Sequence, residues 1–299
     1  TMHQTMLFFT RKGRCYWLKC YEIPEGDKNF KGRAIQNMLN IEPDDSVNAM
    51  LRLRGLNDEE FVNSHYVVFA TKNGTIKKTC LEAYSRPRTN GVNAINIVEG
   101  DEVVDVRLTN GKNEIILANR NGRAVRFDEN TVRAMGRVST GVRGMQLDGD
   151  DDQVVGMIIV NDAETETVMV VSENGYGKRS QVEDYRKTNR GGKGVKTFSI
   201  TEKTGRLVAI KNVTDDNDLM IINKSGIAIR LAVSDCRVMG RATQGVRLIN
   251  LSKKNDVIAS VCKVMSSELE AKLADDNAST ESEATEATEA NEAKPENEK

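Results

Sequence analysis

The sequence of 299 residues is long enough for one large domain or two ordinary ones, with a core that needs no disulfide staples. Charged residues make up 29% and aromatics 5%, and no run approaches the ~18 to 20 apolar residues of a membrane-spanning helix, which excludes a helical integral membrane protein. Five scattered cysteines, two histidines and an N-terminus without a secretory pattern point to a reducing cytosol, and leave almost nothing for a zinc site or a histidine-based triad.

One plan recurs along the chain. An apolar run, a turn ending in glycine and a basic alternating run appear from Leu7 to Gly13, Val67 to Gly74, Ile115 to Gly122, Val168 to Gly175 and Met220 to Gly226. Three of the turns read Asn-Gly (Asn73-Gly74, Asn121-Gly122, Asn174-Gly175), the strongest short-range signal for a tight β-hairpin. A second glycine follows each turn glycine after 19, 17, 19, 19 and 19 residues, at Gly32, Gly91, Gly141, Gly194 and Gly245. After it the pattern predicts an alternating strand (Ile95/Ile97, Met145/Leu147, Phe198/Ile200, Ile249/Leu251) and then a β-rich run such as Val103-Val104, Val154-Val155 or Val257-Ile258. Each unit so read holds about four short strands, and the repeat length of 50 to 59 residues is that of propeller blades.

The expected fold is therefore all-β, a bladed, propeller-like ring of about five four-stranded repeats over residues 1–265. A β-sandwich with similar hairpins is the alternative, and the five-fold two-glycine spacing argues against it. At the ends, a hairpin at 5–19 without preceding strands and strands at 246–263 without a following hairpin are expected to complete one blade together. Residues 266–299 carry 11 acidic residues and three lysines among Ala, Thr and Ser, which reads as a disordered acidic tail with room for a short helix at 266–274.

The net charge of −1 hides a tail of −8 on a body of +7. Within the body, the five connectors from each turn to the second glycine region (14–33, 75–95, 123–143, 176–196, 227–247) sum to +16 over 104 residues. In a ring they repeat around the perimeter, a basic track suited to a curved phosphate backbone. No helix-turn-helix, zinc-finger or basic-zipper pattern is present for base readout, and aromatics are too sparse for single-strand stacking, so duplex DNA is the expected partner. The candidate contacts are Lys31 and Arg33 in the first connector, Arg86 and Arg88 in the second, and Arg137 and Arg143 in the third. The fourth supplies Lys187, Arg190, Gly191, Gly192, Lys193, Gly194 and Lys196, and the fifth Arg241 and Arg247. The run Arg190-Gly191-Gly192-Lys193-Gly194 places two cations among glycines that let a phosphate approach the backbone, and its cations are expected to be exposed. It lacks the Gly-Lys-Ser/Thr ending of a nucleotide P-loop.

Several stretches resemble the C-terminal domain family of the DNA gyrase A subunit: Leu7-Phe8-Phe9-Thr10-Arg11-Lys12-Gly13-Arg14, Tyr21-Glu22-Ile23-Pro24-Glu25, Arg133-Ala134-Met135-Gly136-Arg137, Glu173-Asn174-Gly175-Tyr176-Gly177-Lys178-Arg179 and Gly240-Arg241-Ala242-Thr243-Gln244-Gly245-Val246-Arg247. The resemblance implies a β-pinwheel that wraps duplex DNA around its rim. It implies as partners the N-terminal core of the same polypeptide and the gyrase B subunit in an A2B2 assembly, in the cytoplasm on the chromosome. The family's box, Gln, Arg or Lys and then Arg-Gly-Gly-Lys-Gly, is matched at five of seven positions by Thr188–Gly194, in the fourth repeat rather than the first. The resemblance thus implies a six-bladed domain of which the first blade is cut. The parent's cleavage tyrosine lies elsewhere, so this chain is expected to be non-catalytic and without a cofactor, ATP and Mg2+ belonging to other regions. A topoisomerase IV subunit, whose corresponding domain is similar with a degraded box, and a protein-binding scaffold propeller are the other readings.

Overall fold

A computed structural model describes residues 4–26, 31–251 and 256–266. The acidic tail and its expected helix lie outside the described residues, Ser266 apart.

Five antiparallel sheets form the ring. In chain order the strands are β1 (Thr5–Thr10), β2 (Arg14–Lys19), β3 (Val47–Leu53), β4 (Tyr66–Thr71), β5 (Thr75–Cys80), β6 (Val92–Asn93), β7 (Val103–Thr109), β8 (Glu114–Asn119), β9 (Arg123–Asp128) and β10 (Val142–Arg143). There follow β11 (Val154–Val160), β12 (Thr167–Ser172), β13 (Tyr176–Gln181), β14 (Val195–Lys196), β15 (Leu207–Val213), β16 (Asn217–Asn223), β17 (Ala228–Ala232), β18 (Val246–Arg247) and β19 (Ile258–Met265). Among the described residues the one α-helix, α1 (Glu59–Ser64), is capped by the Asp58 carboxylate, which accepts from the Phe61 amide at 3.0 Å.

All five predicted hairpins are present, and each turn glycine adopts positive φ (78° to 87°). The turns are built alike: the glycine amide donates to the carbonyl three residues back, as Gly74 does to Thr71 at 3.1 Å. In four of them the side chain of that residue (Thr10, Thr71, Asn119, Asn223) accepts the amide just after the glycine at 2.7 to 3.2 Å. A small polar residue three before each turn glycine was a further sequence signal, since Ser172 fills the place in the fourth turn.

The strand accounting differs from the sequence expectation. Each hairpin adds the long strand that follows it as its inner neighbour, but in the first four sheets the outer neighbour comes from the next repeat. The orders are β3-β1-β2-β6, β7-β4-β5-β10, β11-β8-β9-β14 and β15-β12-β13-β18, with a three-stranded fifth sheet, β17-β16-β19. The alternating strand expected after the second glycine is a ladder of only two residues. The following apolar residues, among them Ile95, Met145, Phe198 and Ile249, leave the ladder and plug the space between sheets. The chain ends do not complete one blade together: β1 and β2 belong to the first sheet, β18 to the fourth and β19 to the fifth. A two-residue donated strand defeats a pattern reading because it is too short to show alternation.

Four apolar clusters lie between successive sheets. Leu7, Phe9, Phe69 and Val106 share the first, and Val171, Leu219, Ile221 and Val261 share the last. The starts of all five inner strands surround one cavity of about 410 Å3, lined by Asn48, Val104, Val155, Val208 and Ala259.

Candidate nucleic-acid interface

The donated strands carry the outermost residues of the ring and fix a cross-strand pair at the same place in four sheets. These pairs are Arg14 opposite Asn93, Thr75 opposite Arg143, Arg123 opposite Lys196 and Tyr176 opposite Arg247. Every pair holds at least one cation, and Arg143, Lys196 and Arg247 are exposed. Arg247 lies over the Tyr176 ring at 5.6 Å and donates to its hydroxyl at 3.0 Å, which holds the guanidinium at the surface. Lys203 covers the same ring at 5.5 Å.

The second glycines make this docking tight. A Cβ on Gly141 would sit 2.6 Å from the Ile76 carbonyl oxygen, and one on Gly194 or Gly245 would strike the Ala124 or Gly177 carbonyl. Positive φ and close backbone approach coincide at these positions, and only glycine meets both.

The connector charge divides into two populations. Lys77 and Lys178 are buried (0% and 1% exposed), and burial pushes their amines down to about 7. Lys77 donates to the Ala94 carbonyl at 2.6 Å and to that of Arg137, and Lys178 to the Gly240 carbonyl at 2.8 Å and Ser180 Oγ at 3.0 Å. One residue further on, Lys78, Arg126 and Arg179 reach the start of the next connector at the Glu129, Val182 and Val233 carbonyls. Each also meets a carboxylate: Lys78 pairs with Glu129 at 3.3 Å, Arg126 with Glu114 and Arg179 with Asp215 at 2.8 Å. These cations sew blades together, and all but the half-buried Arg126 are buried away from any ligand. The sequence count of +16 therefore overstates the rim.

The fifteen candidate contact residues separate in the same way. Lys31, Arg33, Arg86 and Arg88 are exposed, with no ion pair among the described residues. Lys187 is exposed but held by Glu114 at 3.0 Å and Asp128 at 3.2 Å, hydrogen bonds that raise its pKa. Lys193 pairs with Asp148 at 3.0 Å. Arg190 is half-buried rather than exposed: its guanidinium donates to the Thr131 carbonyl at 2.9 Å and the Arg143 carbonyl at 3.0 Å. Arg241 makes the equivalent bond to the Lys196 carbonyl at 2.7 Å, so both clamp the preceding donated strand. Arg137 is half-buried. The glycine-rich loop is stitched to the residues just after the third connector, Gly191 N to Gly144 O at 2.7 Å and Gln146 N to Gly192 O at 3.0 Å, with a hollow of about 220 Å3 beneath it. Gly192 and Lys193 line that hollow with Arg126 and Arg186.

Comparison with known proteins agrees with the geometry. The family model for the DNA gyrase C-terminal domain, beta-propeller, matches residues 4–54, 65–110, 113–161, 166–214 and 217–262, one segment per sheet. The DNA gyrase A subunit of Staphylococcus aureus (strain MRSA252) is 44% identical over 262 residues, which are 88% of this chain and 29% of that protein. The same identity and shares hold for the protein of strain N315, so the chain spans well under half the length of these curated relatives. Among solved structures, the C-terminal domain of DNA topoisomerase IV superposes with a TM-score of 0.77 at 27% identity, covering 88% of this chain and 80% of that one. A DNA gyrase A C-terminal domain superposes with a TM-score of 0.75 at 23% identity, covering 89% and 84%, which speaks to the fold. With five consecutive matches falling on five sheets built by one strand-exchange rule, the chain belongs to the DNA gyrase C-terminal domain family of β-propellers.

Proposed function

We propose that this chain binds duplex DNA along its rim and wraps it, as the non-catalytic C-terminal part of the A subunit of a type IIA topoisomerase, working with the N-terminal core of that polypeptide and with the B subunit. The observation that carries the reading is the cation in the outermost cross-strand pair of four successive sheets. A row of cations fixed at one structural position, with no element among the described residues shaped to enter a groove, favours phosphate contact over base readout. The gyrase reading over topoisomerase IV rests on the 44% identity to gyrase sequences. The incomplete box at Thr188–Gly194 and the topoisomerase IV superposition favour the second.

Binding should be sequence-tolerant and should weaken by about 10³- to 10⁵-fold between roughly 50 and 200 mM salt if ~6 to 10 phosphates are contacted. Replacing Arg143, Lys196 and Arg247 together with Ala should lower the slope of log affinity against log salt by roughly 3, at ~0.9 per phosphate lost. Fluorescence anisotropy on two duplexes of unrelated sequence measures both. A salt-insensitive affinity, strong preference for one duplex or an unchanged slope overturns the reading.

A further inference from the structure

The inner strands of the five sheets surround an axial channel. Past the cavity at their starts, three of these strands carry cations: Arg107 on β7, Lys211 on β15 and Lys263 on β19. Lys211 is half-buried and Lys263 exposed. Burial lowers the Lys211 amine and so does the Arg107 guanidinium, while Asp105 and the Cys262 thiol oppose them. Partial burial, Arg107 and Lys211 likewise lower the Lys263 amine, against Glu166. Yet β7 belongs to the second sheet, β15 to the fourth and β19 to the fifth. The third sheet stands between the second and the fourth, and the first between the fifth and the second. Side chains of sheets that do not adjoin meet across the axis, so the three cations converge on the channel.

The carboxylates near them are already engaged. Asp105 accepts from Arg107 Nη2 at 3.1 Å and from the Met157 amide at 3.4 Å. Glu166 accepts from the Asn161 amide at 3.1 Å, from Asn161 Nδ2 at 3.3 Å and from Asn212 Nδ2 at 3.1 Å. Among the described residues, neither the Lys211 nor the Lys263 amine has a hydrogen bond or an ion pair. Arg107 Nε is buried with no hydrogen-bond partner among them. Three donor groups from three sheets thus face one another without an acceptor. Such an arrangement costs stability, because desolvated donors lose water without gaining a partner and like charges repel.

We propose that this level of the axial channel is a binding site for a small tetrahedral oxyanion of the phosphate class, held by Arg107 Nε and the Lys211 and Lys263 amines. Oxygens arranged tetrahedrally accept from several directions at once, which suits donors that approach an axis from three strands. Charge points the same way. The cations outnumber Asp105 and Glu166 by one, and a singly charged phosphate neutralises that excess. The adjoining cavity of about 410 Å3 holds a small ion with its water but not a duplex, so the ligand is a free oxyanion rather than the phosphate of a DNA backbone. The site is therefore separate from the rim cations and does not depend on DNA binding.

The probe is inorganic phosphate, exchanged for chloride at constant ionic strength in solutions of the full chain. The urea midpoint should rise saturably with phosphate, as for any ligand that binds the folded state alone. The rise should persist when Arg143, Lys196 and Arg247 are replaced together with Ala, which separates the channel from the rim. Lys211→Met with Lys263→Met keeps both stems and removes both amines. In that variant the apparent phosphate affinity should fall by about tenfold or more, because a charge-assisted hydrogen bond is worth roughly a factor of ten. Amide NMR shifts of the parent give a second readout that needs no variant: residues around Arg107, Lys211 and Lys263 should move with one dissociation constant. No phosphate response in the parent, an equal response in the Lys211/Lys263 variant, a response lost with the rim cations or shifts confined to the rim would each overturn the proposal.

Discussion

At the scale of single residues, the sequence showed basic connectors but not which cations face water. Lys77 and Lys178 occupy the third place after their turn glycines, where the ring buries them with two acceptors each. A neutral amine has two N–H groups and satisfies both acceptors, so the lowered pKa and the geometry agree. The unfolded chain holds these protons up to pH 10.5, whereas the folded protein releases them above about 7. Because the folded pKa is depressed, the unfolded state binds more protons between those values, and stability rises with pH across that window. Each lysine adds at most about 1.4 kcal/mol per pH unit to that rise. Urea unfolding at pH 7.5 and 9.5 should show a smaller rise for the Lys77→Met and Lys178→Met variants than for the parent, and equal rises would mean that these amines stay charged in the fold. The buried role had a faint sequence signature, since Lys77-Lys78 and Lys178-Arg179 put a cation at both alternating positions, one of which must point inward.

The element that governs the interface is the donated two-residue strand. Hairpins were legible because turn chemistry is local: a glycine at positive φ and apolar strands of five or six residues mark themselves. Strand exchange was not legible, because it depends on which sheet a two-residue segment reaches, and nothing within Val195–Lys196 specifies Ala124 and Arg123 as its partners. The second glycine was the visible trace of that contact. Its energetic weight can be separated from its conformational one. Gly100 also has positive φ (+80°), but a Cβ there would meet nothing within 4 Å, whereas a Cβ on Gly194 would strike the Ala124 carbonyl and the Val125 amide. Gly100→Ala should cost about 1 to 2 kcal/mol, the left-handed penalty alone. Gly194→Ala should cost roughly 2 to 5 kcal/mol, since backbone overpacking adds about 1 to 3 kcal/mol to the same penalty. The lost docking should also reduce DNA affinity through Lys196. Denaturant midpoints with unchanged m-values provide the comparison, and equal costs would show that the close approach relaxes freely.

Across the whole molecule, charge is segregated twice: connectors against the rest of the body, and a body of +7 against a terminal segment of −8. Ser266, the last described residue, has its amide fixed to the Asp216 carbonyl at 2.9 Å. A flexible tether would hold the charge of the 33 residues that follow Ser266 at a local concentration of order millimolar around the body. If the rim binds DNA as proposed, that segment should compete with it for the same exposed cations at low ionic strength, since each rim lysine or arginine engaged by a carboxylate is one fewer for phosphate. Ending the chain after Ser266 should therefore raise DNA affinity at roughly 50 mM salt. The gain should shrink towards 200 mM, because the screening length falls to about 8 Å near 0.15 M. The competition is electrostatic, so replacing the acidic residues beyond Ser266 with Gln or Asn at constant length should reproduce the truncation. Equal affinities of full-length and shortened chains at low salt would show that the segment leaves the rim alone, and a gain that persists at high salt would assign its effect to steric exclusion rather than charge.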